Sequence, residues 1–313
     1  MSDNNRPSSL LQAFRHRLEY GAFSALAFMA QNGNPKLVDG LSAWIWRIAA
    51  PHFHRHPRAL DNLSLAMPEL DPAMQEAILL KMWDNLGRTM MESFALSSIA
   101  DDPESLVFNF TDEAAALIKS DRPVIFVGLH AGNWEVSAVA AERFGKSLMG
   151  VYQKILNPLI DHAVMTLRQR FYKGGLFTKG SETVTRIRRG LSEGHSLALM
   201  ADLRDAHGEP VPFFGVDARS TVFPALLARM HKLPIIAVRV IRIGLRRFRV
   251  DAVVIELHKD ADRAAEIKEN TFRIQQQFEA WIRDEPGTWM WGHKRWRRKL
   301  KKNKRLKNPE GAL

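Results

Sequence analysis

Two periodicities divide the chain. Over residues 9–98 apolar side chains recur at helical spacing and no alternating run appears. "DPAMQEAILLKMWDNLGRTMMESFAL" opens with Pro72, a residue suited to the first helical turn, and "DNLSLAMPEL" at 61–70 ends a helix near Pro68. From about residue 105 the pattern changes to short apolar runs: "LVFNF", "PVIFVGL", "SLMGVY", "SLALM", "LPIIAVRVI" and "RRFRVDAVVIEL". Between them lie amphipathic stretches near 112–119, 134–144, 158–171, 181–193 and 222–231, with a last helix near 261–283. Strands alternating with helices predict an α/β fold, with a mixed, mostly parallel sheet flanked by helices. The predicted layout has an N-terminal helical region at 1–98, an α/β core at 99–298 and a basic tail at 299–313. Residues 1–8 read as disordered.

Two early segments are apolar enough to raise the question of a membrane. "YGAFSALAFMA" at 20–30 is well short of the roughly 20 residues a spanning helix needs. It also lacks the layout of a cleaved signal peptide. "LSAWIWRIAA" at 41–50 carries Trp44 and Trp46, a residue type that favours the membrane–water interface. Together they predict a region that enters a membrane surface in part without crossing it.

The candidate chemistry lies at the end of the most apolar strand. "RPVIFV" runs into "GLHAGNWEV", residues 128–136. Gly128 and Gly132 permit a tight reversal, and Asn133 is a suitable helix cap. Trp134 and Glu135 are expected in the first helical turn, where the helix dipole keeps a carboxylate ionised. His130 falls at the carboxyl end of the strand, where open α/β sheets place ligands. The five-residue separation lets Glu135 accept from one ring nitrogen and leave the other as a base. His56 also has an acid five residues on, Asp61, but no strand or glycine precedes it, so it reads as a decoy.

Composition narrows the chemistry. The 313 residues contain no cysteine, which excludes a disulfide framework, a thiolate metal site and a cysteine nucleophile. No His pair has metal-site spacing on a periodic helix, and "HFHRH" lies between Pro51 and Pro57, so no metal and no cofactor is expected. Of the formal net charge of +11, residues 294–313 carry +9, which leaves +2 on the rest. "KRWRRKLKKNKRLK" at 294–307 reads as an exposed handle for an anionic membrane surface, phosphate or an acidic protein. One aromatic among its ten basic residues gives no stacking platform for bases, so no nucleic-acid partner is expected.

The strand followed by "HAGNWE" resembles the bacterial lipid A biosynthesis acyltransferases, within the wider glycerolipid-acyltransferase-like superfamily marked by a His, four residues and an acid. Further blocks agree in order: "NLSLAMPEL" at 62–70, "MWDNLGRTMMES" at 82–93, "NPLIDHAVMTLRQRFYKGG" at 157–175, "MADLRDAHGEPVPFFGVDARSTVFPALLARMHKLPIIAVRV" at 200–240 and "EPGTWMWGHKRWR" at 285–297. The resemblance spans roughly residues 15–298. It implies transfer of a fatty acyl group from acyl carrier protein to a hydroxyl of a Kdo-bearing lipid A precursor, at the cytoplasmic face of the inner membrane. The implied catalytic set is His130 as base, Glu135 fixing its tautomer, Arg170 (or Arg168) as oxyanion donor, and Asp202 (or Asp205) orienting that arginine. Phe213, Phe214, Gly215 and Thr221 fit an acyl-pocket wall and a turn, or simple core. Trp289, Trp291 and Trp296 fit interfacial anchors or packing, and His293 fits a structural role. The alternatives are another lipid or glycolipid acceptor for the same chemistry, and a non-catalytic basic module that binds membranes or nucleic acid.

Overall fold

The computed structural model describes residues 10–296. Two helices lead the chain, α1 (Leu10–Asn32) and α2 (Pro35–Ala49), followed by a 3-10 turn at Ala50–His52. Then come α3 (Arg55–Ala66), α4 (Pro72–Phe94) and α5 (Leu96–Asp101). Prolines at the first positions of α2 and α4 sit behind side-chain caps: Asn34 accepts from the Lys36 amide and Asp71 from the Met74 amide.

The core alternates β1 (Leu106–Phe110), α6 (Asp112–Lys119), β2 (Ile125–Gly128), α7 (Val136–Arg143), β3 (Leu148–Tyr152), α8 (Pro158–Gln169), β4 (Gly175–Thr178), α9 (Ser181–Ser192) and β5 (Ser196–Met200). A hairpin of β6 (Arg204–Phe213) and β7 (Val216–Ser220) interrupts the alternation. It resumes with α10 (Phe223–His231), β8 (Ile235–Gly244), β9 (Arg247–Val254) and α11 (Arg263–Asp284). The seven-stranded sheet has the order β1-β9-β8-β2-β5-β3-β4, parallel except for the β8–β9 pair. The predicted α/β class, with its mixed, mostly parallel sheet flanked by helices, is therefore observed.

Both faces of the sheet are covered, which is why its central strands are continuous apolar runs. Ile125, Val127 and Leu129 face one core with Leu197, Ile235, Phe278 and the C-terminal tryptophans. Phe126 faces the other with Val139, Ile236, Val238 and Ala252. The first core also takes Ala59, Leu63, Leu79 and Trp83 from α3 and α4, so the N-terminal helices pack into it.

Some expectations need correction. The β6–β7 hairpin and the edge strand β4 were not anticipated. Phe214 and Gly215 form its turn with positive φ values of 54° and 70°. Phe213 and Phe214 pack against Trp289, Trp291 and Trp296, in keeping with the core alternative for them. The basic segment does not begin at Lys294. Arg295 is fully buried over the Phe213 ring and donates to the Arg219 carbonyl, Ser220 Oγ and Gln275 Oε1. Burial pulls its guanidinium down to about 10, and the charge of Asp202 only partly offsets this. The tail expectation at 299–313 lies outside the described residues.

Candidate active site

The parallel register sets the central contact. β2 and β5 pair with Gly128 opposite Met200. Two residues further along each strand, His130 and Asp202 stand level at the carboxyl edge of the sheet. His130 Nδ1 lies 2.8 Å from Asp202 Oδ1, and the His130 backbone N–H donates to Oδ2 at 2.9 Å. The indole N–H of Trp289 donates to the same Oδ2 at 2.8 Å. Asp202 is fully buried, while the His130 side chain keeps 18% exposure, so the imidazole is the member of the pair that solvent or a substrate can reach.

Burial opposes charge on both groups, but each favours the charged form of the other. The Asp202 carboxyl would be raised by desolvation, yet the His130 charge and three hydrogen bonds hold it far below the usual carboxylate range. The His130 imidazole would be lowered by burial. The charge and hydrogen bond of Asp202, with the charge of Glu135 added, raise it instead. A carboxylate on Nδ1 also fixes the proton there in the neutral ring and leaves Nε2 as the basic nitrogen. The neighbouring rings are Trp134 at 5.2 Å and His293 at 5.3 Å between centroids. Burial and then the His130 charge push His293 down to about 4, with Arg55 and Arg58 adding to the effect, so His293 stays neutral where His130 titrates.

The loop that carries His130 is held from several directions. Gly132 has φ +57°, and a Cβ there would lie 1.8 Å from the Val240 carbonyl oxygen, so only glycine fits. Its carbonyl accepts from Asn85 Nδ2 at 3.0 Å and Thr89 Oγ1 at 2.9 Å, both on α4. Asn133 Nδ2 donates to Glu92 Oε2, and the fully buried Glu92 takes two 2.6 Å bonds from Arg242 of β8. On the other side, Ala131 bridges Trp289 as a one-residue antiparallel pair, and the Met290 amide donates to the His130 carbonyl at 3.0 Å.

Glu135 is not bonded to His130, because Asp202 occupies Nδ1. α7 starts at Val136, later than expected, and Asn133 Oδ1 accepts the Glu135 amide just before it. Its carboxylate turns toward α8 and takes Arg168 in a two-point pair, through Nε at 2.9 Å and through Nη2. Arg170 stands apart, paired with Glu142 at 3.0 Å and Asp101 at 2.7 Å. The arginine beside the site is therefore Arg168. Asp202 orients the histidine and not an arginine. Asp205 only accepts the His207 amide within β6. His56 accepts from Trp83 Nε1 and lies 3.4 Å from Glu76, as part of the packing between α3 and α4. Among the described residues no cluster of three His, Asp or Glu side chains is placed to hold a metal ion.

Sequence reasoning missed Asp202 as the partner of His130, the contact of Trp289 with Asp202, and the place of His293 beside the imidazole. "SLALMAD" carried the signal for the first, a second strand ending in an acid, but not which strand it neighbours.

A partly exposed imidazole backed by a buried carboxylate, at the carboxyl edge of a parallel sheet, is an arrangement suited to acid–base group transfer. The chain belongs to the bacterial lipid A biosynthesis acyltransferase family, which it matches over residues 8–298, and it is an acyltransferase. It is 22% identical over 289 residues to the "Lipid A biosynthesis myristoyltransferase" of Escherichia coli (strain K12), covering 90% of this chain and 88% of that protein. The "Lipid A biosynthesis acyltransferase 1" of Shigella flexneri is similar to the same extent.

Proposed function

We propose that the protein moves a fatty acyl group from acyl carrier protein to a hydroxyl of a Kdo-bearing lipid A precursor, with His130 as the base. The observation that carries the catalytic assignment is the His130–Asp202 contact, which leaves Nε2 as the basic nitrogen of a partly exposed imidazole. Nε2 takes the acceptor hydroxyl proton as the oxygen bonds to the thioester carbonyl carbon. The tetrahedral oxyanion collapses, the C–S bond breaks, and the imidazolium returns its proton to the leaving thiolate. Asp202 stabilises the imidazolium in between. Arg168, held by Glu135, supplies positive charge for the oxyanion.

The same reading places the enzyme on a membrane surface. Leu10, Phe14 and Leu18 on α1, and Leu37, Leu41, Trp44, Ile45 and Ile48 on α2, are exposed at one-face helical spacing. No helix among the described residues is long and apolar enough to cross a membrane, so the stripes act by lying in the interface. An anionic inner-membrane surface at its cytoplasmic face is the proposed site of action, and no cofactor enters the mechanism.

The test is to incubate the purified protein with a Kdo-bearing lipid A precursor and acyl carrier proteins bearing different chains, with acyl-CoA in parallel, and weigh the product. The expected result is a mass gain of one acyl chain that requires His130. Transfer only to a glycerolipid, or a His130→Ala variant with wild-type turnover, would overturn the assignment.

A further inference from the structure

We infer that Trp289 is a positioning residue for the acyl transfer, acting on His130 through Asp202. This rests on the reading of His130 as the base.

Trp289 and Asp202 are both fully buried, and the indole N–H reaches Oδ2 at 2.8 Å. The carboxylate is thereby clamped at Oδ2 by the indole and the His130 amide, and Oδ1 is left for the imidazole. Without the indole, Oδ2 keeps one partner and the carboxylate can rotate, which would carry Oδ1 out of line with Nδ1. The backbone makes the clamp two-sided. Trp289 bridges Ala131, and the next amide holds the His130 carbonyl, so one short segment fixes both the histidine and its acid. The charged and titratable groups around the imidazole are Asp202 from the end of β5, Glu135 at the start of α7 with Arg168 of α8 on it, and His293 from the C-terminal segment. Arg55 and Arg58 of α3 act on His293, and Arg295 acts on Asp202. Of these, Asp202 alone loses a partner when the indole N–H is removed.

Trp289→Phe keeps an aromatic ring against Phe213 and Trp291, and deletes the donor together with part of the buried ring volume. Trp291→Phe is the control. Trp291 is equally buried, stacks edge-on to Trp289 at 4.7 Å, and its N–H goes to the Pro286 carbonyl, which is remote from the acid. Trp289→Phe should lower kcat about 10-fold, the scale of losing a hydrogen bond to a charged group, with KM little changed. Rotation weakens the Oδ1–Nδ1 hydrogen bond that raises the imidazole. The acid limb of the kcat profile and the His130 titration followed by NMR should therefore move down by roughly 0.5–1 unit. Trp291→Phe should lower thermal stability and leave both titrations in place. Should Trp289→Phe not fold, the wild-type indole N–H spectrum decides. One indole proton should shift as His130 titrates, and that response should vanish in Asp202→Asn. Wild-type titrations in Trp289→Phe, equal shifts in Trp291→Phe, or no titrating indole would overturn the inference. If His130→Ala kept turnover, the reading beneath it would fail instead, a result distinct from these.

Discussion

Asp202→Asn should act far more strongly than loss of one charge. Two donors, the His130 amide and the Trp289 indole, point at the Oδ2 position. An asparagine must place its carbonyl oxygen there and its NH2 toward His130 Nδ1. The ring nitrogen must then accept, which moves the proton to Nε2 and removes the base. The opposite amide orientation faces NH2 against both donors and costs about 2 kcal/mol, so the productive tautomer falls to roughly 1 part in 30. Loss of the carboxylate charge from the developing imidazolium adds about 2 kcal/mol, another factor of roughly 30. The product is a fall in kcat of about 1,000-fold with little change in KM. The assay is kcat for acyl transfer across pH 6–9, with circular dichroism melting as the fold control. Wild-type activity should rise with pH through the raised His130 value and stay flat above it, since only the neutral imidazole is a base. A variant that retains more than about a tenth of the wild-type plateau would refute the tautomer argument.

Three further outcomes are expected. Arg168→Ala should lower kcat by about 100-fold as its charge leaves the oxyanion, whereas Arg170→Ala breaks a half-exposed pair and should stay within a few-fold in a steady-state assay. Gly132→Ala should destabilise by roughly 2 kcal/mol or more in denaturant titration, because its Cβ would lie 1.8 Å from the Val240 carbonyl oxygen and a left-handed backbone is also required. Replacing Leu10, Phe14, Leu18 and Trp44 with serine should reduce binding to anionic vesicles in flotation, while turnover in detergent is retained; each side chain stands more than half exposed, so folding loses little.

What could be read from the sequence followed periodicity. The strands 106–110 and 196–200 and the helix 112–119 have the bounds that their apolar patterns predict, and His130 stands at a strand end as expected. The acid partner was hidden because β2 and β5 are parallel neighbours some 70 residues apart, and one sequence holds no record of strand order. The sequence leaves Arg168 and Arg170 as alternatives for a local reason. Residues 168 and 170 lie at the end of α8, where two positions turn a side chain by roughly 200° about the axis. One faces Glu135 and the other faces Glu142. Arg295 reads as one basic residue in a run of ten. Only the structure shows that its planar guanidinium lies over Phe213 inside the core, where it bonds neutral acceptors.

The support of the His130 loop explains why the matching blocks are scattered along the chain. A base must be held within a fraction of an ångström, yet "HAGN" has a glycine and an alanine where anchoring side chains would stand. Its anchoring therefore has to come from elsewhere, onto its carbonyls and amides. Asn85, Thr89 and Glu92 of "MWDNLGRTMMES" take one flank, spaced three to four residues apart on a single face of α4. Trp289 and Met290 of "TWMWGHKRW" take the other flank. Asn62 of "NLSLAMPEL" then fastens that C-terminal segment by donating to the carbonyls of Trp291 and His293, each at 2.7 Å. The arginine helix is tied in turn to the N-terminal apolar helix, since Asn157 at the start of α8 bonds the His16 carbonyl and Glu19 of α1. Each block thus holds a different part of one site, and the helix proposed to rest on the membrane is one rigid element away from Arg168.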